Sequence, residues 1–172
     1  MARSVSGHEV LRPGDPRLAT GTIPGTKRRL TLHRTALPLF LNAFAALSAE
    51  VKPLSWDTWS YAYRPARAAA AWSDHAAGLA ADAWSGSIGA QVWPARMTQA
   101  QAGRMLAVLR RYKTADGRRI LGWGARAELG GDYHRINDPM HVYVRPGIGV
   151  ADLVECQHRM GIRGDGTSRA AA

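Results

Sequence analysis

The most apolar stretch of the chain, ALPLFLNAFAALSA at 36–49, places the tightest constraint on the fold. Its Leu37, Phe40, Leu41, Phe44 and Leu47 recur at three- and four-residue intervals, the spacing of one helix face. The stretch is 14 residues long and contains Asn42 and Ser48. A membrane-crossing helix needs roughly 20 apolar residues, so this one must bury its stripe against other parts of the same chain. Thr35 is placed to cap it and Pro53 to end it. A chain of 172 residues that is 46% apolar has the material for one core around such a helix and is unlike a disordered segment.

Elsewhere the periodic segments are short. Positions 1–34 are punctuated by Pro13, Gly14, Pro16, Gly21, Pro24 and Gly25, and read as an extended arm with turns. The aromatic run WDTWSYAY at 56–63 reads as a strand, 66–72 as a short alanine-rich helix, and 78–84 as a second strand. Positions 85–94 read as a loop. Thr98 and Gln101 have the spacing of a capping box, which starts a helix over 98–113 with Met105, Leu106 and Leu109 inward. Short strands follow at 120–123 and 141–145, separated by a loop. A last helix spans 150–160, with Val150, Leu153, Val154 and Gln157 on one face, and the Gly/Arg/Ala-rich tail 161–172 is expected to fray. This mixture predicts an α+β domain, a small antiparallel sheet flanked by helices, at 35–160, between the arm (1–34) and the tail.

Lys and Arg number 23 against 13 Asp and Glu, a net charge of +10 that favours polyanionic partners: nucleic acid, an anionic membrane surface or an anionic cell wall. The single cysteine, Cys156, excludes an intramolecular disulfide and a multi-cysteine zinc site. It reads as a small core residue. The GTKRR turn at 25–29 reads as a solvated basic turn. The first thirty residues lack a secretory apolar region.

Chemistry concentrates in two segments. SDHAAGLAAD at 73–82 sets His75 seven residues before Asp82, with Gly78 between them to permit a turn. NDPMHVYV at 137–144 sets Asp138 three residues before His141. A catalytic zinc takes three protein ligands from histidine and carboxylate. His75, Asp82 and His141 offer such a set, and Asp138 stands one loop step away to move a proton. Arg64, at the end of the aromatic run, is a permanent cation suited to an oxyanion.

Ser73-x-His75-x-x-Gly78-x-Ala80-x-Asp82 resembles the first zinc motif of the D-alanyl-D-alanine carboxypeptidase family, which also contains phage and bacterial L-alanyl-D-glutamate endopeptidases. Asp138-x-x-His141 resembles the second motif, and YAYR ending at Arg64 resembles the strand that precedes the first. GWG at 122–124 and GGDY at 130–133 resemble the approach to the last motif in the endopeptidase branch. The resemblance covers about half the chain. It implies the fold of the hedgehog/DD-peptidase-like zinc peptidases and one Zn²⁺ on His75, Asp82 and His141. It also implies Asp138 as general base and Arg64 as electrophilic helper. Ser73, Tyr63, Trp123, Asp132, Tyr133 and His134 would line or support the cleft.

The implied activity is hydrolysis of a peptide bond in the peptidoglycan stem peptide. Asp at 138 and the GGDY segment favour the L-Ala–D-Glu bond over removal of a terminal D-Ala. A monomer is expected, made in a host cytoplasm without a signal peptide, held on the anionic wall by its basic surface, and released as an endolysin or carried on a virion. The competing expectation is a non-enzymatic zinc-containing binder of anionic wall or nucleic acid. Nucleic acid is the weaker option, because the aromatic residues cluster in a presumed core strand and not among the basic ones.

Overall fold

A computed structural model describes residues 1–54, 57–66, 70–84, 97–125, 127, 130–132 and 138–168. Among them the chain forms two small antiparallel sheets and three α-helices. This is the expected α+β class. No helix is long and apolar enough to cross a membrane among the described residues.

The segment read as an extended arm carries a hairpin. β1 (Leu18–Thr22) pairs with β2 (Arg29–His33), Thr20 opposite Thr31. The signal was the alternation in RLTLH: Leu30 and Leu32 are fully buried, while Arg29 faces solvent. Gly25, at φ +73°, turns the chain between the strands. α1 (Leu37–Glu50) lies on this hairpin and also packs against α2 and α3, with Phe40, Phe44 and Leu47 fully enclosed. Thr35 is not its cap. The helix starts from Ala36, already in the helical region, and Pro38 in the first turn removes one amide that a cap would have to satisfy.

α2 (Gln99–Leu109) carries the expected Thr98–Gln101 capping box, with Met105, Val108 and Leu109 buried and Leu106 half-buried. It ends before 113 because Tyr112 turns into the core, where its hydroxyl donates to Asn42 Oδ1 at 2.8 Å. The other side of Asn42 donates to Gly166 O at 2.9 Å. The described part of the tail is therefore pinned to α1 and not frayed, since the polar residue inside the apolar stripe needs both partners. α3 (Val150–Arg159) buries Leu153 and Cys156, whereas Val150 and Val154 stand exposed. The buried line runs at i, i+3 through Leu153 and Cys156, one position round from the expected face.

The second sheet has the order β3 (Ala80–Asp82), β5 (His141–Val144), β4 (Leu121–Trp123). Its register sets Asp82 opposite His141, and Ala81 and Trp123 opposite Val142. One face, with Ala81, Val142, Val144, Leu121 and Trp123, belongs to the core. The other carries Asp82 and His141. The run 56–63 is not a regular strand where it is described. Only Trp59 pairs in β fashion, with Asp82. Nor do 70–72 continue a helix, because Trp72 bridges to Pro65 and to Ser4. Residues 67–69 and the loop at 85–94 lie outside the described residues.

Before β3, Asp74–Ala77 form a 3-10 turn that ends at Gly78, φ +66°. Gly78 O accepts from His33 N at 2.8 Å, and a Cβ at Gly78 would stand 2.7 Å from that same nitrogen. Both the left-handed backbone and the close approach of β2 demand glycine here. Gly78→Ala is expected to lower stability by about 2 kcal/mol, measured by chemical denaturation of the metal-free protein. An unchanged midpoint would contradict this packing.

Candidate metal centre

Three elements converge on one point. His75 comes from the 3-10 turn, Asp82 from β3 and His141 from the adjacent β5. The separations are 3.1 Å for His75 Nε2 to Asp82 Oδ1, 3.0 Å for His141 Nδ1 to Asp82 Oδ1, and 3.1 Å for His141 Nδ1 to His75 Nε2. Both imidazoles are buried and Asp82 nearly so. A tetrahedral ion with bonds of about 2.0–2.1 Å spaces its ligand atoms by about 3.3 Å. The triangle is therefore close to one face of such a tetrahedron, and this group could hold a metal ion.

The hydrogen-bond pattern supports this. His75 Nδ1 lies 2.6 Å from Ser60 O. A carbonyl only accepts, so Nδ1 carries a proton; Nε2 then offers its lone pair when a metal is bound, and without metal it donates a second proton to Asp82. Three electron-rich atoms this close in a buried site need a cation among them: a proton without metal, or a metal ion. Burial alone would raise the Asp82 carboxyl, but the His75 charge and the hydrogen bonds from both imidazoles outweigh it and hold Asp82 well below the usual carboxylate range. Burial lowers His141, yet the Asp82 hydrogen bond and charge, together with Asp138 and Asp74, raise it.

Ser73 caps the 3-10 turn and is buried, its Oγ accepting from His75 N at 3.3 Å. Asp138 closes a turn in which its carbonyl accepts from His141 N at 3.0 Å. That carbonyl would lie 2.5 Å from a Cβ on Gly124, so the turn folds closely over this glycine beside His141. Trp123 is buried and donates from Nε1 to Pro139 O at 2.6 Å, bracing the same turn from beneath. Asp132 is a clamp within the fold: one oxygen accepts from Trp123 N, the other from Arg119 and Arg145. Arg64 holds Ser73 N through its backbone carbonyl, while its side chain reaches Pro65 O at 3.4 Å. Tyr63 is exposed and stacks on Trp72, ring centroids 4.6 Å apart. Tyr133 and His134 lie outside the described residues.

The sequence reading missed four contributors. Ser60 orients His75 through a backbone carbonyl, and its hydroxyl accepts from Thr31 N of β2 at 2.8 Å. Asp74 is fully buried and accepts from both Ser6 N and Ser6 Oγ, tying the N-terminal segment to the turn. Tyr143 stacks on His141 at 5.5 Å. Trp59 pairs with Asp82 and is exposed. Of these only Tyr143 had a local signal, two residues after His141 on one strand face. Comparison with protein-family models, curated proteins and solved structures returns no match.

Two measurements test the centre. Equilibrium titration should find one divalent ion per chain, and His141→Ala should weaken it by more than the 10–100-fold typical of an outer contact. In metal-free protein the raised His141 contributes stability below its unfolded value of about 6.5, lost as pH rises through the folded value. The lowered Asp82 contributes above about 3.9, lost as pH falls. Thermal melts in chelator should thus show greatest stability at mildly acidic pH. Metal should stabilise increasingly as pH rises, because binding displaces the His141 proton. A metal-free profile that climbs steadily from pH 5 to 8 would contradict the geometry.

Proposed function

We propose that the protein is a zinc-dependent peptidoglycan peptidase with the fold of the hedgehog/DD-peptidase-like zinc peptidases, cutting the stem peptide at the L-Ala–D-Glu bond. The observation that carries this reading is the convergence of His75, Asp82 and His141, two imidazoles and one carboxylate, with the Asp138 turn folded against His141. That donor set suits zinc, and three protein ligands leave room for a reacting group. The motif spacings that resemble the D-alanyl-D-alanine carboxypeptidase family point to peptide hydrolysis. The net charge of +10 suits an anionic wall polymer.

When bound, zinc supplies Lewis-acid polarisation of the scissile carbonyl. The protein does the rest. The Ser60 carbonyl accepts from His75 Nδ1 and so keeps His75 Nε2 for a cation, while Asp82 Oδ1 and His141 Nδ1 stand beside it as the other two donors. Asp138 is the general base, taking a proton from the attacking water and passing it to the leaving amine. Its charge already acts on His141 across the turn. Arg64 steadies the developing oxyanion once substrate brings the carbonyl within its reach.

Zinc-loaded protein should release fragments from purified peptidoglycan, and mass spectrometry should find new D-Glu amino termini. Asp138→Asn should keep the metal and the fold but lose 10²–10⁴-fold in turnover. Release of D-Ala alone would move the scissile bond. A loaded protein that leaves peptidoglycan intact would overturn the proposal.

A further inference from the structure

β4 presents a bare face to the metal centre. Trp123 turns into the core, so by alternation Gly122 and Gly124 lie on the side that carries Asp82 and His141. The register sets Gly122 directly opposite Tyr143 of β5. A Cβ on Gly122 would stand 2.5 Å from Tyr143 Cζ, 2.7 Å from its Cε1 and 2.9 Å from its hydroxyl oxygen. A Cβ on Gly124 would stand 3.0 Å from His141 Cβ. At both positions a side chain of β5 lies against the neighbouring strand. Neither glycine has a positive φ, so space and not backbone conformation demands them.

Tyr143 is only 5% exposed, and Gly122 lies beneath its ring. Its ring also meets His141, two residues back on the same strand face. The centroids are 5.5 Å apart and the planes differ by 18°, an offset stack. His141 faces Asp82 Oδ1 and His75 Nε2 through Nδ1. That nitrogen lies off the axis of the Cβ–Cγ bond, so a turn of the ring about this bond swings it out of the triangle. The plane of the ring therefore decides whether Nδ1 can share an ion with the other two donors. A nearly parallel ring at stacking distance resists that turn. His75 is fixed differently, by the hydrogen bond from its Nδ1 to Ser60 O.

We propose that Tyr143 is a positioning residue of the metal centre: its ring, admitted by Gly122, fixes the plane of His141 and keeps Nδ1 in place beside His75 and Asp82. The inference rests on the metal-centre reading and is independent of peptide hydrolysis.

Zinc affinity, measured by competition with a chromophoric chelator, gives the readout, together with the absorption spectrum of the Co²⁺ form. Tyr143→Phe keeps the ring and should bind zinc as tightly as the parent. Tyr143→Leu fills much of the same space without a plane to stack. It should bind zinc about tenfold more weakly, the loss typical of a contact behind a ligand, with altered Co²⁺ bands. Gly122→Ala should weaken zinc through the same ring. Added to Tyr143→Leu it should cost little more, because the ring it displaces is already gone, so the two losses should not add. Circular dichroism and thermal melts of the metal-free variants report the fold. Parent-like zinc affinity in Tyr143→Leu, even with a lowered melting temperature, would make Tyr143 a packing residue alone and overturn the inference. Full additivity of the two losses would overturn it as well. An equal loss in Tyr143→Phe would assign the effect to the hydroxyl and overturn the stack. A parent protein that binds no zinc would refute the metal centre, and this inference with it.

Discussion

Asp82 Oδ1 faces His75 Nε2 at 3.1 Å and His141 Nδ1 at 3.0 Å inside a largely buried wall, and much of the structure around it is arranged to hold that contact. Burying a carboxylate is costly unless it is paired, and two imidazoles sharing one cation provide the pairing. The atoms come from chain positions far apart, so their meeting is imposed by the backbone. β3 and β5 lie side by side, Asp82 opposite His141. The 3-10 turn brings His75 over that pair, and the left-handed Gly78 lets the chain leave the turn directly into β3.

The N-terminal third supports this arrangement. His33 N bonds to Gly78 O, Thr31 N to Ser60 Oγ, and Leu11 N to Ala76 O. Ser6 holds the buried Asp74. Ser60 joins two of these links, since its hydroxyl is held by β2 while its carbonyl sets the His75 tautomer. The hairpin is thus coupled to the His75, Asp82 and His141 group through one residue and a few hydrogen bonds. α1 secures the hairpin from the core side, and Asn42 within α1 secures the tail through Gly166 and the chain after α2 through Tyr112.

The second sheet divides its labour by face. Ala81, Val142, Val144, Leu121 and Trp123 face the core, while Asp82 and His141 line the site. Alternation on so short a strand leaves little freedom, because a slip of one residue would bury His141 in the apolar core and expose Val142. Trp123 serves both sides: its ring fills the core and its indole N–H holds Pro139 beneath the Asp138 turn.

The sequence by itself determined the local and spacing-encoded features. These are the α1 stripe, the Thr98 capping box, the short strands at 121–123 and 141–144, the buried Cys156, and the histidine and aspartate residues that meet. Each is written within a few residues, as periodicity, a cap or a fixed interval. Tertiary structure alone decided the remainder. The arm became a hairpin because Leu30 and Leu32 find α1 above them. The described part of the tail, 161–168, is held to α1 because Asn42 needs partners for both ends of its amide. The described part of the aromatic run, 57–63, forms a single β pair with Trp59 turned outward, because Asp82 takes only one of these residues into register. Ser60 orients His75 through a carbonyl that every residue type possesses, so no sequence pattern could reveal it. Backbone partners and sheet register depend on which distant segments lie alongside one another, and that is the information the order of residues does not display.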